Sequence, residues 1–196
     1  MKKILTFAIM AIMTVAAYAQ PSASVGYANS TIHENNSSMQ YNGVFAGIEN
    51  MQCSYGLGYK YGLTLSYFEN NSSLETSIGS GSLKYNEMYL ELPLDIVYKF
   101  DGGIVNIYPY AGITPSFGIF SNVTASADAL GVKTKDSENL YNDYGYKRFD
   151  ILAGGGIIVD AAFVKFNIGY DYGLISRYED GDVHRTLFHF GVGLDL

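Results

Sequence analysis

The stretch Tyr85–Phe100 has the sequence Tyr-Asn-Glu-Met-Tyr-Leu-Glu-Leu-Pro-Leu-Asp-Ile-Val-Tyr-Lys-Phe. From Met88 onward every even position is apolar or aromatic, whereas Glu91, Asp95 and Lys99 occupy odd positions. Because successive side chains of a β-strand point to opposite faces, this pattern predicts a strand with one apolar and one ionic face. The strand is long enough for the roughly 9–11 residues that a tilted membrane-spanning strand needs. Since proline cannot donate to the ladder, we expect a local irregularity at Pro93.

The N-terminal segment Met1–Ala19 has the features of a cleaved signal peptide. Lys2 and Lys3 precede an apolar run, and Ala17-Tyr18-Ala19 places small residues at the two positions that a signal peptidase recognises. No later stretch approaches the roughly 18 apolar residues of a transmembrane helix. Gln20, not a cysteine, follows the cleavage site, so a lipid-anchored lipoprotein is not expected. The predicted organisation is therefore a signal peptide at 1–19 and one domain at 20–196.

Composition points to an exported membrane protein. Charged residues make up 16% of the chain, below the roughly 25% of soluble domains. The net charge of −7 argues against a nucleic-acid partner. The chain has 18 Tyr and 11 Phe but no Trp, and such rings are typical of membrane–water boundaries. Cys53 is the only cysteine, which excludes an internal disulfide.

Apolar alternation recurs along the mature chain, with connections that alternate between long and short. An up-and-down membrane barrel spaces its external loops and periplasmic turns in this way. We therefore predict an all-β fold, an eight-stranded antiparallel up-and-down transmembrane β-barrel with both termini in the periplasm. The predicted strands are Ala23–Thr31, Tyr41–Glu49, Tyr55–Phe68, Tyr85–Phe100, Ile104–Phe120, Arg148–Val159, Phe163–Arg177 and Val183–Leu196.

The apolar faces of these strands are expected to contact lipid. A soluble barrel of the lipocalin type would carry about 25–35% charged residues on its exterior, whereas the polar faces here contain mainly Gly, Ser, Thr, Asn and Tyr. The charges predicted to point into the lumen are Glu91, Asp95, Lys99, Arg148, Asp150, Lys165, Asp171 and Arg177. The inward glycines expected to leave room for long side chains are Gly62, Gly112, Gly154, Gly156, Gly169 and Gly191. Eight strands enclose only enough space for side chains, which favours a polar plug over a conducting pore.

Two motifs carry a family resemblance. The block Tyr89–Leu94, followed by Tyr98-Lys99-Phe100 and a hairpin signal, resembles the mid-barrel strand of PorT-like, porin-family outer-membrane proteins, which are small barrels of the OmpA and OmpX architecture. The C-terminal His189-x-Gly191-x-x-Leu194-x-Leu196 is similar to the signal that the barrel-assembly machinery recognises, except that Leu196 stands where an aromatic residue is usual. The resemblance implies a bacterial outer-membrane location but no single activity.

The sequence predicts no catalytic, cofactor-binding or metal site. One type of lipid A-modifying barrel enzyme pairs a histidine with a serine two residues later, but Thr186 follows His184 and Gly191 follows His189. His33 is predicted in a loop, and none of the histidines belongs to a cluster with the spacing of metal ligands. A solvated acidic loop is the expected role of the carboxylates Asp128, Asp136, Glu138 and Asp143, with Ca²⁺ binding as the alternative.

The polar segment 121–147 is predicted to be the longest external loop and the site of any extracellular partner, since loops on a rigid scaffold commonly carry function. The function expected is that of a non-enzymatic, monomeric barrel in contact with outer-membrane lipid, with a structural or loop-mediated role. A lipid-modifying enzyme of the outer leaflet and a narrow channel remain as alternatives.

Overall fold

The computed structural model describes residues 21–34, 37–76, 79–129, 132–143, 145–178 and 182–196. The predicted signal peptide Met1–Ala19 lies outside these residues. Within them the structure is almost entirely antiparallel β-sheet. None of the helical residues described forms a segment long and apolar enough to cross a membrane.

The sheet closes into a ring of eight positions. Its order is β2, β1, β11, β10, β9, β7, β4 and β3, and pairing between β2 and β3 closes the ring. The segments β4, β5 and β6 follow one another along a single position of the ring, beside β7. On the opposite side of β7, β8 pairs with its C-terminal part and β9 with its N-terminal part. The prediction of an eight-stranded antiparallel up-and-down barrel is confirmed for the described residues. The elements are β1 (Ser22–Glu34), β2 (Ser37–Ser54), β3 (Leu57–Thr76), β4 (Gly79–Glu91), β5 (Leu94–Tyr98), β6 (Phe100–Asp101), β7 (Val105–Ala129), β8 (Val132–Asn139), α1 (Leu140–Asp143), β9 (Phe149–Ala161), β10 (Val164–Gly173) and β11 (Val183–Asp195).

The stretch Tyr85–Phe100 is interrupted where the proline predicts it. β4 ends before Leu92 and β5 begins after Pro93, while the Leu92 amide donates to the carbonyl oxygen of Pro115 at 2.9 Å. The register between β4 and β7 also shifts between Met88 and Tyr89, which marks a bulge. The strand nevertheless keeps its two faces across this irregularity.

The apolar face of this strand points out of the barrel, as predicted. Leu94 and Ile96 are 48% and 65% exposed, whereas Glu91 and Val97 are 3% and 1% exposed. Outward apolar side chains continue around the ring and form an apolar belt. A surface of this extent would aggregate in water, so it is the surface that meets lipid chains. The belt includes Val25, Val44, Ile48, Leu65, Leu94, Ile96, Ile113, Phe117, Ile157, Phe166, Ile168, Phe190 and Leu194.

The two ends of the barrel differ. At one end, called the turn end, tight turns at Tyr55-Gly56, 102–104 and 162–163 join the strands. Gly56 and Gly103 have φ values of 88° and 81° in these turns, a region that glycine enters without steric strain. Both ends of the described chain lie there too, since the Leu196 amide donates to the carbonyl oxygen of Pro21 at 2.9 Å. At the other end, called the hairpin end, the strands continue well beyond the belt.

The prediction of a long loop at 121–147 is wrong. Residues 122–129 of β7 pair with β8 on one side and with β4 on the other. Residues 69–76 and 79–82, between the predicted strands Tyr55–Phe68 and Tyr85–Phe100, are likewise paired, β3 with β4, and residues 33–34 and 37–40 lie in β1 and β2. These segments lack an unbroken stripe of large apolar side chains, and their pairing depends mainly on backbone hydrogen bonds. We call residues 69–76, 79–87, 121–129 and 132–139 together the upper sheet.

Some predicted strand limits also need correction. β2 runs to Ser54 and not to the predicted Glu49, so the turn to β3 follows at Tyr55-Gly56. β10 ends at Gly173, and Arg177 lies in the connection that leads to β11. β7 has 25 residues, more than twice the roughly 9–11 that span a membrane, because it serves both the barrel and the upper sheet.

Candidate functional site

The lumen contains a buried ion pair between Arg185 on β11 and Glu91 on β4. Arg185 Nη2 donates to Glu91 Oε1 at 2.9 Å, and its other nitrogens donate to the hydroxyl oxygens of Ser30 at 3.1 Å and Ser116 at 3.4 Å. The Ser66 hydroxyl donates to Glu91 Oε2 at 2.6 Å. Strands from across the ring therefore supply the hydrogen bonds that a buried pair requires.

A second ion pair lies nearer the hairpin end. Arg177 Nη2 donates to Glu87 Oε1 at 2.8 Å, and the hydroxyls of Ser121 and Tyr89 donate to the same carboxylate at 2.9 and 2.6 Å. The Tyr89 ring lies 4.0 Å from the guanidinium carbon of Arg185 and 6.0 Å from that of Arg177. Tyr89 thus joins the two pairs into one buried cluster, through its hydroxyl on one side and its ring on the other.

A third group of charges lies nearer the turn end. Lys60 Nζ is 3.0 Å from Asp95 Oδ2 and 3.6 Å from Glu49 Oε2, and it lies 4.2 Å from the centre of the Tyr110 ring. The Tyr110 hydroxyl contacts Asn167 Oδ1 at 2.9 Å. Lys60 is therefore neutralised by two carboxylates in a site that is almost closed to solvent.

His189 extends this group along the lumen. Its Nε2 is 3.0 Å from the Tyr110 hydroxyl, and its Nδ1 is 3.4 Å from Asp171 Oδ2. A side chain at Gly169 would collide with both His189 and Tyr110. The glycine at this inward position makes space for the two larger rings, as the sequence predicted for inward glycines.

A cavity of about 60 Å³ lies among these groups. It is large enough for a few water molecules, since each needs about 10–15 Å³ by this measure. Beyond it the side chains of Arg185, Phe68 and Leu152 are almost completely buried, so the described residues fill the lumen. The charged and polar side chains that line the cavity are Ser24, Glu49, Lys60, Thr64, Ser66, Glu91, Asp95, Tyr110, Thr114, Asn167, Asp171 and His189.

Residues 16–179 match the family described as outer membrane protein beta-barrel domain. The chain belongs to this family. Membership of this family places the barrel in the bacterial outer membrane, and its apolar belt therefore faces outer-membrane lipid.

The chain is similar to several solved structures. Ail, the attachment invasion locus protein of Yersinia pestis, solved with the heparin analogue sucrose octasulfate, is 15% identical, with 91% of this chain and 99% of that chain covered and a TM-score of 0.50. Neisserial surface protein A is 16% identical, with 90% and 97% covered and a TM-score of 0.43. The outer membrane enzyme PagL is 15% identical, with 91% and 100% covered and a TM-score of 0.47. No curated protein matches the chain. At 15% identity the likeness to Ail extends to the fold alone.

Six of the eight charges predicted to face the lumen of the outer-membrane barrel are buried there. Lys99 instead lies near the turn end, 3.5 Å from Asp101. Arg148 lies at the hairpin end, where it donates to the carbonyl oxygens of Gly118 and Ile119. The six buried charges are Glu91, Asp95, Asp150, Lys165, Asp171 and Arg177.

Four lumenal charges of the outer-membrane barrel, Glu49, Lys60, Glu87 and Arg185, were not among those predicted. Each follows the alternation that identified the others, and Glu87 lies two positions before Tyr89 on the inward face. Extending the period-two pattern to the ends of each strand would have identified them. The pairings themselves give no local signal, since Glu87 and Arg177 are 90 positions apart.

Two histidines of the outer-membrane barrel lie on its outer surface. His33 and His184 are cross-strand partners near the hairpin end. His33 Nε2 is 3.2 Å from the Thr186 hydroxyl, and His184 contacts the carbonyl oxygen of Gly173 and the carboxylate of Asp182, both at 2.8 Å. Neither a serine nor a cysteine is among these contacts. The described residues contain no group of three or more His, Cys, Asp or Glu that would hold a metal ion.

The segment that follows β8 covers the hairpin end of the outer-membrane barrel. Tyr141 of α1 is buried, and a side chain at Gly118 would collide with its hydroxyl. The Tyr146 and Tyr178 rings lie 4.4 Å apart, and burial raises the pKa of Tyr146. Tyr141 and Tyr146 thus hold this segment against the rest of the described chain. Of the acidic side chains considered for Ca²⁺, Asp136 and Glu138 are exposed, and the side chains of Asp128 and Asp143 lie outside the described part of the chain.

Proposed function

We propose that this protein is a non-enzymatic outer-membrane barrel that presents its upper sheet to partners outside the cell, with both termini in the periplasm. The observation that carries this proposal is the length of the paired strands, since β3 and β7 run well past the belt. A four-stranded extension is a more rigid contact surface than a flexible loop, because its backbone is held by ladder hydrogen bonds. The filled lumen favours this role over that of a channel.

The edges of the upper sheet indicate how a partner is held. In the described residues, β2 pairs with β3 only as far as Glu69, and β3 continues to Thr76 paired with β4 alone. This edge, residues 70–76, contains no lysine or proline, the residues with which proteins commonly block edge pairing. The opposite edge, β8, carries Lys133 and Lys135. The β3 edge is therefore the one suited to pairing with an extended segment of a partner.

Three narrower assignments belong to the same proposal. The Tyr89–Leu94 block supports a place in the PorT-like subgroup. Outward Phe188, Phe190 and Leu196 on or beside β11 give the C-terminal strand the apolar surface suited to the barrel-assembly machinery. Since the belt is completed by one chain, we propose a monomer.

Shortening the β7–β8 hairpin tests the proposed function. Because Val123 and Glu138 are cross-strand partners, residues 124–137 are replaced by an Asn-Gly turn, which suits a two-residue hairpin. We expect the variant to reach the outer membrane and fold, while cells that produce it lose attachment to immobilised extracellular proteins and polysaccharides. The matched control is Lys84→Met, which removes one exposed charge from the sheet without changing its length. Unchanged attachment by the shortened variant would contradict the proposal.

A second candidate function, lipid modification, is favoured by one contact. The Thr186 hydroxyl lies 3.2 Å from His33 Nε2 on the outer surface, which is the distance of a nucleophile from its base. The purified protein in glycolipid vesicles, compared with Thr186→Val and His33→Ala, tests this candidate. Release of fatty acid by the native protein but by neither variant would support the enzyme and contradict a purely non-enzymatic role.

A further inference from the structure

A row of polar residues crosses neighbouring strands on the outside of the barrel. Asn29 of β1 pairs with Asn42 of β2, and the same line of register continues through β3, β4, β7 and β8. Cross-strand partners point to the same face of a sheet. We call this row the asparagine ladder; its members are Asn29, Asn42, Glu69, Asn86, Asn122 and Asn139.

The ladder lies at the boundary of the belt. Two positions closer to the turn end, each of β1, β2, β3, β4 and β7 presents an apolar or aromatic side chain on the outer face. These residues are in register with one another, as the ladder residues are. The ladder therefore lies where lipid chains end and headgroups begin. The boundary residues are Tyr27, Val44, Tyr67, Met88 and Phe120.

Hydrogen bonds fix the orientation of the ladder amides. Asn42 Oδ1 accepts from the Tyr27 hydroxyl at 2.6 Å and from Asn29 Nδ2 at 3.0 Å. Asn86 Oδ1 accepts from the Tyr67 hydroxyl at 2.9 Å.

The third fixed amide is that of Asn122, whose Oδ1 accepts from Asn139 Nδ2 at 3.1 Å. Since their oxygens are engaged, Asn42, Asn86 and Asn122 have their amide N–H groups left for an external acceptor. Within the described residues none of these three Nδ2 atoms donates a hydrogen bond.

The charge of the ladder indicates what it binds. Its single ionised member, Glu69, is 3.3 Å from Lys84 Nζ and is thereby balanced. Phosphate recognition relies on arginine or lysine, and the ladder itself contains neither. Neutral amides, which both donate and accept, match the hydroxyl groups of sugars.

We propose that the asparagine ladder binds the sugar headgroup of a glycolipid whose acyl chains lie against the apolar belt. Because the ladder directly adjoins the belt, the sugar that it binds is one attached to a lipid. The acyl chains of that lipid lie against the belt and hold its headgroup at the height of the amides. The partner is accordingly a membrane glycolipid. This inference requires the membrane location but not the proposed surface contact, and it holds whichever side of the membrane the hairpin end faces.

Native mass spectrometry of the protein from mixed micelles tests the proposal. The probes are digalactosyldiacylglycerol, phosphatidylglycerol and phosphatidylethanolamine with matched acyl chains. We expect the native protein to retain the digalactosyl lipid about tenfold more strongly than either phospholipid, as a few net hydrogen bonds would give. Equal retention of the three lipids, or preference for phosphatidylglycerol, would overturn the proposal without any variant being needed.

Alanine variants test whether the ladder asparagines form the sugar-binding site. The triple change Asn42→Ala, Asn86→Ala and Asn122→Ala should remove the preference for the digalactosyl lipid. The matched control, Asn71→Ala with Ser72→Ala and Ser73→Ala, removes exposed polar groups above the ladder and should keep it. Folding of each variant is checked by the difference in electrophoretic mobility between its unheated and heated samples. If the triple variant does not fold, the single variant Asn86→Ala replaces it. A ladder variant that folds and keeps the full preference would also overturn the assignment.

Discussion

Arg185 provides the most direct test of how the lumen is stabilised. The side chain is 1% exposed and its charge is balanced by Glu91. Arg185→Met leaves a buried carboxylate unpaired, and we expect the free energy of unfolding to fall by about 3–5 kcal/mol. Urea titration in detergent micelles, followed by circular dichroism, measures this change.

Lys84 supplies the control for that measurement. Its ion pair with Glu69 is exposed on both sides, so Lys84→Met should change stability by less than about 1 kcal/mol. Replacing both partners, with Arg185→Met and Glu91→Leu, should restore most of the loss because no charge is then left buried. An Arg185→Met variant as stable as Lys84→Met would show that the lumenal pair contributes little.

At the residue scale the sequence indicates which face a side chain occupies but not what it touches. Period-two alternation placed Glu91, Asp95 and Asp171 inside the barrel, and the structure confirms all three. The partner of Glu91 is 94 positions away. Closure of the ring and the stagger of its register decide that contact, and neither is encoded in a local pattern.

At the scale of the strand, the apolar belt predicts that a charge introduced at Leu94 impairs folding into a membrane. This side chain lies near the middle of the belt and is 48% exposed. Leu94→Arg would place a charge in the hydrocarbon, which costs about 2–4 kcal/mol at the bilayer midplane, whereas Leu94→Phe keeps the surface apolar. We expect folding into lipid vesicles to fail or slow for the arginine variant alone.

Leu83 is the matched control for this substitution. It lies at the same position of the ring as Leu94, in the part of β4 that belongs to the upper sheet, and is 41% exposed. Since that sheet lies outside the belt, Leu83→Arg should fold into vesicles as the native protein does. Equal impairment by Leu83→Arg and Leu94→Arg would mean that the arginine acts on the strand itself and not through contact with lipid.

The spanning strands could be predicted from the sequence because lipid imposes an unbroken apolar stripe on each of them. The upper sheet could not, since it lies outside the belt, where lipid no longer requires an apolar outer face. Residues 121–139 therefore resemble a loop in composition although they pair with β4 and with each other. The asparagine ladder became apparent only through register, because its members are scattered from Asn29 to Asn139.

For the whole molecule, the filled lumen predicts the absence of a conducting path. The clusters around Arg185 and Lys60 leave a cavity of only about 60 Å³ between them. We expect the purified protein in planar bilayers to produce no sustained current steps. An open porin measured in the same bilayers serves as the positive control. Stable, reproducible steps from the native protein would contradict this prediction and revive the channel alternative.

The orientation of the barrel is a further prediction for the whole molecule, and two engineered cysteines test it in a Cys53→Ser background. Ser73 lies exposed in the upper sheet, and Ile104 lies exposed in a turn at the opposite end. With both termini periplasmic, a polymer-linked maleimide too large to cross the outer membrane should label Ser73→Cys on intact cells. It should label Ile104→Cys only after that membrane is opened, and both cysteines should then react, which controls for their accessibility. Labelling of Ile104→Cys alone on intact cells would mean that the turn end and both termini face outward.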